Sequence, residues 1–171
     1  MTPIINANDF GLMSSVNKAI VECFAKGLIN QTTIMVNMSH FNEAVYLAKK
    51  HGFADKVGIH LNIDAGYPLT EKIKVNRHFC NADGEFNGAF KHLPFSELYL
   101  NRINRACLSE ELDAQSKKYV ESGFTLMHFD SHHHNHMRYS VLKLLIPLAQ
   151  KYSFKSCSIP RNLFVQKQSK C

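Results

Sequence analysis

Val57-Gly58-Ile59-His60-Leu61-Asn62-Ile63 alternates bulky apolar side chains with smaller or polar ones, and a period of two is that of a β-strand. Working back from it, Phe41 to Lys50 carries Ala44, Val45, Leu47 and Ala48 at helical spacing and is stopped by Gly52. Thr32-Thr33-Ile34-Met35-Val36 reads as the strand before that helix. Pro3-Ile4-Ile5-Asn6-Ala7 reads as the first strand. It leads to a helix capped by Ser14 or Ser15, with Val16, Ala19, Ile20, Cys23 and Phe24 on its apolar face and Gly27 at its end. Working forward, a long irregular stretch runs from Asp64 to about Pro94 and contains Gly66, Pro68, Gly84 and Gly88. A helix follows over Ser109 to Glu121, with Ser109 as cap and Glu110, Glu111 and Asp113 in its first turn. Phe124 to Phe129 reads as a fourth strand. Val141, Leu144, Leu145, Leu148 and Tyr152 then form the inward stripe of a helix, and Phe154 to Ile159 a fifth strand. Strands alternating with helices make βα units and a parallel sheet. Five such units fit either a doubly wound sheet or an incomplete (β/α) barrel, in one α/β domain over 1–171.

The bulk numbers agree with one globular domain. At 171 residues, with 45% hydrophobic and 20% charged side chains, the chain can bury a core of its own. No apolar run reaches the ~18 residues of a membrane span, and Met1 to Asn6 lacks a signal peptide's basic and apolar regions. Cys23, Cys80, Cys107, Cys157 and Cys171 are scattered and include no C-x-x-C pair. That excludes a disulfide framework and a cysteine zinc site, and it fits the reducing cytoplasm. The net charge of +6 is dispersed, with none of the aromatic-basic interleaving that stacks bases, so nucleic acid is not the expected partner.

Both candidate architectures gather their sites at the carboxyl ends of the strands, and the chemically notable residues fall there. Asn8 and Asp9 follow the first strand, in Asn6-Ala7-Asn8-Asp9-Phe10-Gly11, and His60 sits late in the third. After the fourth comes Leu126-Met127-His128-Phe129-Asp130-Ser131-His132-His133-His134-Asn135-His136, which holds half of the chain's histidines. Neutral imidazole is a common ligand for divalent metals. Asp9, His60 and one imidazole from His132 to His134 make a carboxylate-plus-two-histidine set with coordination positions to spare. Each residue also has a plainer reading: Asp9 as a helix cap, His60 as a buried histidine bonded to backbone, the histidine run as a solvated loop.

At these residues the chain resembles the YdjC-like carbohydrate deacetylases, a family that includes chitooligosaccharide deacetylases. The family pattern runs N-A-D-D-F-G, T-S-T-T-x-M-V-N, G-x-H-L-N-L-T-x-G-x-P-L and T-H-x-D-S-H-H-H-x-H. It is met in order by Asn6 to Gly11, Asn30 to Asn37, Gly58 to Leu69 and Leu126 to His136. The resemblance implies an incomplete TIM-like barrel and hydrolysis of the amide C–N bond that joins an acetyl group to an amino sugar. It also implies one divalent ion on Asp9, His60 and His132. Mixed nitrogen and oxygen ligands suit zinc, manganese, iron or cobalt, and the resemblance adds magnesium. An ion of this kind activates a water and polarises the acetamide carbonyl.

Two departures from the pattern bear on activity. The family's base aspartate is here Asn8, and an amide has no basic lone pair at neutral pH. Asp130 is either a substitute base, a role that His134 or His136 could also fill, or the group that fixes a ligand imidazole in its tautomer. The second departure is length, because the family runs on by about another third. That predicts a C-terminally truncated barrel: either the chain is a fragment or truncated product, or its open sheet edge is covered by a second copy. His134, His136 and Arg161 are candidate substrate contacts, and Phe79, Phe86, Phe90 and Phe95 are either sugar-stacking faces or loop packing. The expected partner is an N-acetylated sugar, hydrolysed with impaired efficiency. The alternative is a non-catalytic ion- or sugar-binding pseudoenzyme.

Overall fold

Five parallel strands lie side by side in chain order: β1 (Asn6–Phe10), β2 (Gln31–Ile34), β3 (Val57–Leu61), β4 (His128–Ser131) and β5 (Ser156–Cys157). The computed structural model describes residues 3–92 and 98–159. The connections carry α1 (Ser14–Ala25), α2 (Phe41–Lys50), the short α3 (Glu71–Lys74), α4 (Arg102–Glu121) and α5 (Tyr139–Lys151). A doubly wound sheet reverses its strand order at a switch point. This sheet never reverses, a progression consistent with a sector of a (β/α) barrel.

Alternation along the strands sorts the sheet into two unlike faces. Phe10, Ile34, Val57, Ile59, Leu61 and Phe129 are buried in one cluster with Ile20, Phe41, Ala44, Leu108, Leu112, Leu144 and Leu145 from the helices. The intervening positions put Asn6, Asn8, Thr33, Gly58, His60, His128 and Asp130 on the other face, joined by hydrogen bonds and by the pairs Thr33–Gly58 and His60–Asp130. Gly58 is required there. A Cβ would stand 2.8 Å from the His128 carbonyl oxygen and 3.2 Å from Thr33 Cγ2.

Several boundaries differ from the sequence reading. β1 begins and ends three residues later than expected, and β4 starts at His128 rather than Phe124. β5 is confined to Ser156–Cys157. No side chain caps α1, whose N-cap is Met13. The largest correction is at α4, which starts seven residues before Ser109, its cap being Asn101, whose side chain accepts from the Asn104 backbone N–H. Ser109 and Glu111 therefore lie inside the helix.

Glu111 has a different task from complementing a helix terminus. It is fully buried and accepts from the Leu69 and Thr70 backbone N–H groups, the Thr70 hydroxyl and Gln115 Nε2, at 2.8–3.0 Å. Gln115 in turn exchanges hydrogen bonds with the Asn62 backbone, 3.0 Å to its N–H and 2.7 Å to its carbonyl. The loop leaving β3 is thus fastened to α4 by one carboxylate and one amide. Glu111→Ala is expected to cost about 3 kcal/mol, because it orphans the buried Gln115 amide and the part-buried Leu69 and Thr70 donors together. Urea unfolding should show an earlier midpoint with an unchanged slope, and a loss under about 1 kcal/mol would disprove this role.

Candidate metal centre

The site begins with a defect in β1. Ala7 pairs with Thr32 and Phe10 with Ile34, so three steps on β1 match two on β2. This bulge contains Asp9 in the left-handed region at φ 66°. Such a backbone costs about 1–3 kcal/mol for a residue other than glycine, though aspartate tolerates it better than most. In a regular strand Asn8 and Asp9 would face opposite sides of the sheet. Here both serve the polar face: Asn8 Oδ1 accepts at 3.2 Å from the Thr33 hydroxyl, and Asp9 Oδ1 lies 3.2 Å from His60 Nε2. Bulges recur beside active sites because they re-aim side chains in this way.

His60, near the end of β3, is 2% exposed. Its Nδ1–H donates to Asp130 Oδ1 at 2.6 Å, and Asp130 Oδ2 accepts from the Thr33 hydroxyl at 3.1 Å. A carboxylate behind one ring nitrogen fixes the tautomer and leaves the other free as a ligand. In this site that second nitrogen is Nε2, which faces Asp9 Oδ1. His132 approaches from the first turn after β4, its Nδ1 3.0 Å from the same Asp9 Oδ1. The following His133 and His134 are both left-handed, at φ 52° and 56°.

Asp9, His60 and His132 each offer one ligand atom, and the three atoms lie within 4.8 Å of one another. Ligands about 2.0–2.2 Å from a common ion stand roughly 3–3.5 Å apart, which the 3.2 and 3.0 Å separations match. One carboxylate and two imidazoles are a fitting donor set for a divalent cation. Asp9 and His132 are partly exposed, so a ligand could reach them.

Electrostatics bind the three together without an ion. Hydrogen bonds from His132 and then His60 hold the Asp9 carboxyl far below the usual carboxylate range. Burial alone would push the His60 imidazole down, but Asp130 and Asp9 outweigh it and raise the imidazole to about 9. His60 is therefore protonated at pH 7, and that charge contributes stability below pH 6.5 that is lost as pH rises through about 9. An ion must displace this proton. Apparent affinity for Zn²⁺ should accordingly rise about tenfold per pH unit between pH 6 and 8, with proton release, as read by calorimetry in buffers of different ionisation enthalpy. A pH-independent affinity would show that His60 is not displaced.

The remaining expected residues fall into place unevenly. Asp130 is buried and engaged by both His60 and Thr33, an arrangement that orients His60. Asn8 is on the polar face beside it, also accepting from Asn6 Nδ2 at 2.6 Å. His136 is 1% exposed with both ring nitrogens occupied: Nδ1 accepts from the Ser131 hydroxyl at 2.6 Å and Nε2–H donates to the Ser158 carbonyl at 2.7 Å. His134 is exposed. Phe79, Phe86 and Phe90 are buried, the Phe79 and Phe90 rings 5.1 Å apart, so they pack the loop instead of facing solvent. Arg161 and Phe95 lie outside the described residues. Sequence reasoning missed Thr33, Asp64 and Asn135. The sole hint of Thr33 was its place in the β2 motif.

A family model described as "YdjC-like protein" matches residues 4–171. The chain belongs to the YdjC-like family. Among its relatives are proteins named carbohydrate deacetylase from Thermoanaerobacter pseudethanolicus and Halalkalibacterium halodurans. The first is 38% identical, the match covering 92% of this chain and 60% of the relative; the second is 34% identical, with 89% and 61% covered. An Enterococcus faecalis crystal structure, of a protein named for cellobiose-phosphate cleavage, superposes with a TM-score of 0.75 at 26% identity. That match covers 92% of this chain and 59% of the other. The YdjC-like chain thus spans about 60% of the length of the curated relatives it matches. Among its described residues no helix is long and apolar enough to cross a membrane.

Proposed function

We propose that this YdjC-like chain carries the ion site of a carbohydrate deacetylase acting on the acetamide of an N-acetylated amino sugar. The carrying observation is the convergence of Asp9, His60 and His132 from β1, β3 and the turn after β4 on one point. The names of its relatives supply the substrate class. Zinc and magnesium are the ions of choice, and the sheet is read as part of a TIM-like barrel.

Hydrolysis adds water across the amide, so the C–N bond breaks, acetate leaves and the amine nitrogen gains a proton. A divalent cation on the three ligands would acidify the water and polarise the carbonyl. Asp9 would contribute the anionic oxygen that neutralises part of the cation's charge. Asp130, steadied by Thr33, keeps His60 Nδ1 protonated and its Nε2 directed at the shared point. Asn8 occupies the position where a base would take the water's proton, and its amide oxygen already accepts from Asn6 and Thr33. Proton removal is therefore the weak step, and turnover is expected to be slow.

The same Asn8 favours a second reading, in which the chain binds ion and sugar without turnover. Acetate release from N-acetylated chitooligosaccharides, with Zn²⁺ or Mg²⁺ and with chelator, separates the two. Ion-dependent acetate supports the deacetylase; ion binding without acetate supports the pseudoenzyme; neither ion binding nor acetate rejects both.

A further inference from the structure

Two consecutive left-handed residues other than glycine, His133 and His134, cost about 1–3 kcal/mol each, and something must hold them. Asp64, in the loop after the neighbouring strand β3, reaches this turn at His133 and Asn135. Its Oδ2 accepts from Asn135 Nδ2 at 2.7 Å and from His133 Nδ1–H at 2.8 Å. Asn135 is itself buried, and its Nδ2 also donates to the His132 carbonyl at 2.9 Å while its Oδ1 accepts from Arg138 Nε at 3.3 Å. The carboxylate thus sits one residue's amide away from the backbone of His132.

Asp64 is anchored in its turn. Its backbone N–H donates to Asn62 Oδ1 at 3.0 Å, and Asn62 is joined to Asn37, the Ala65 carbonyl and Gln115. The Asp64 side chain is 1% exposed, and its Oδ1 is buried without a hydrogen-bond partner among the described residues. Burying a carboxylate with half of its acceptor capacity unused is expensive. A neutral side chain would avoid that cost if packing were the sole requirement.

We infer that Asp64 is a positioning residue: it clamps the left-handed His133–His134 turn, through Asn135 and His133, in the shape that aims His132 at Asp9 and His60. The inference rests on the reading of His132 as an ion ligand, and its test separates the two. Asp64→Ala and Asp64→Asn are compared with the unmodified chain in two measurements. The first is amide hydrogen exchange without ion, where the His136 N–H, donated to the Ser131 hydroxyl, reports the turn. The second is Co²⁺ affinity from the visible absorption of the bound ion.

Asp64→Ala should speed exchange over residues 132–138 at least about tenfold while β1 to β3 stay protected, and weaken Co²⁺ binding about 10–100-fold. Asp64→Asn, which keeps an acceptor but loses the charge that strengthens both bonds, should fall between Asp64→Ala and the unmodified chain. Unchanged exchange in Asp64→Ala overturns the clamp. So does an unchanged Co²⁺ affinity in a chain that binds the ion, because a merely structural role would lower the melting temperature and leave affinity alone. If the unmodified chain binds no Co²⁺, the ion-site reading has failed, and the exchange measurement alone decides the clamp.

Discussion

His132→Ala is expected to lose at least about 10²-fold in affinity for Zn²⁺ or Co²⁺, and with it all ion-dependent acetate release. Among the described residues three protein ligands converge, so removing one leaves Asp9 and His60 as a bidentate remnant. His133 cannot step in without breaking its bond to Asp64 and unwinding the left-handed turn that follows His132. The substitution should not unfold the chain, because the imidazole is partly exposed and, among the described residues, its hydrogen bond is to Asp9 alone. Calorimetric titration with a circular-dichroism control checks both halves. Retained affinity in a folded variant would falsify the triad as the ion site.

Asn8→Asp should go the other way and raise turnover about 10²–10⁴-fold, the usual worth of a general base. The local geometry is ready for a carboxylate. The two donors that now satisfy Asn8 Oδ1, Asn6 Nδ2 and the Thr33 hydroxyl, would serve a carboxylate oxygen equally well, leaving the second oxygen for the proton. Acetate release by the two proteins at equal ion occupancy is the deciding measurement. An unchanged rate would show that position 8 is not where the proton goes.

How far the sequence could be read depended on which face a residue served. α2 was legible because Ala44, Leu47 and Ala48 mark its inward stripe, and its bounds were matched at both ends. The start of α4 was hidden because its buried face between Arg102 and Leu108 consists of Asn104, Cys107 and Leu108, too few apolar positions for periodicity to register. A Ser-Glu-Glu run then imitated a helix start. Asp9, His60 and His132 stood out by residue type and strand-end placement. The bulge at Asp9 did not, since nothing in Asn8-Asp9-Phe10 spells out a left-handed backbone. Thr33, in a strand, and Asp64 and Asn135, in loops, escaped because a polar residue turned inward reads the same as one facing water. Their partners lie 97, 69 and 71 residues away in sequence.

The Asp9–His132 contact spans 123 residues. An ion shared by those two side chains would act as a reversible staple across nearly the whole described chain. It would tie the first strand to the fourth through neither hydrogen-bond ladder nor apolar packing. Cations bound only by the folded state raise stability by mass action, about 2.7 kcal/mol at a hundredfold excess over Kd. Heat resistance of this protein would then track the metal content of its surroundings, and a chelator would act on it as a mild denaturant.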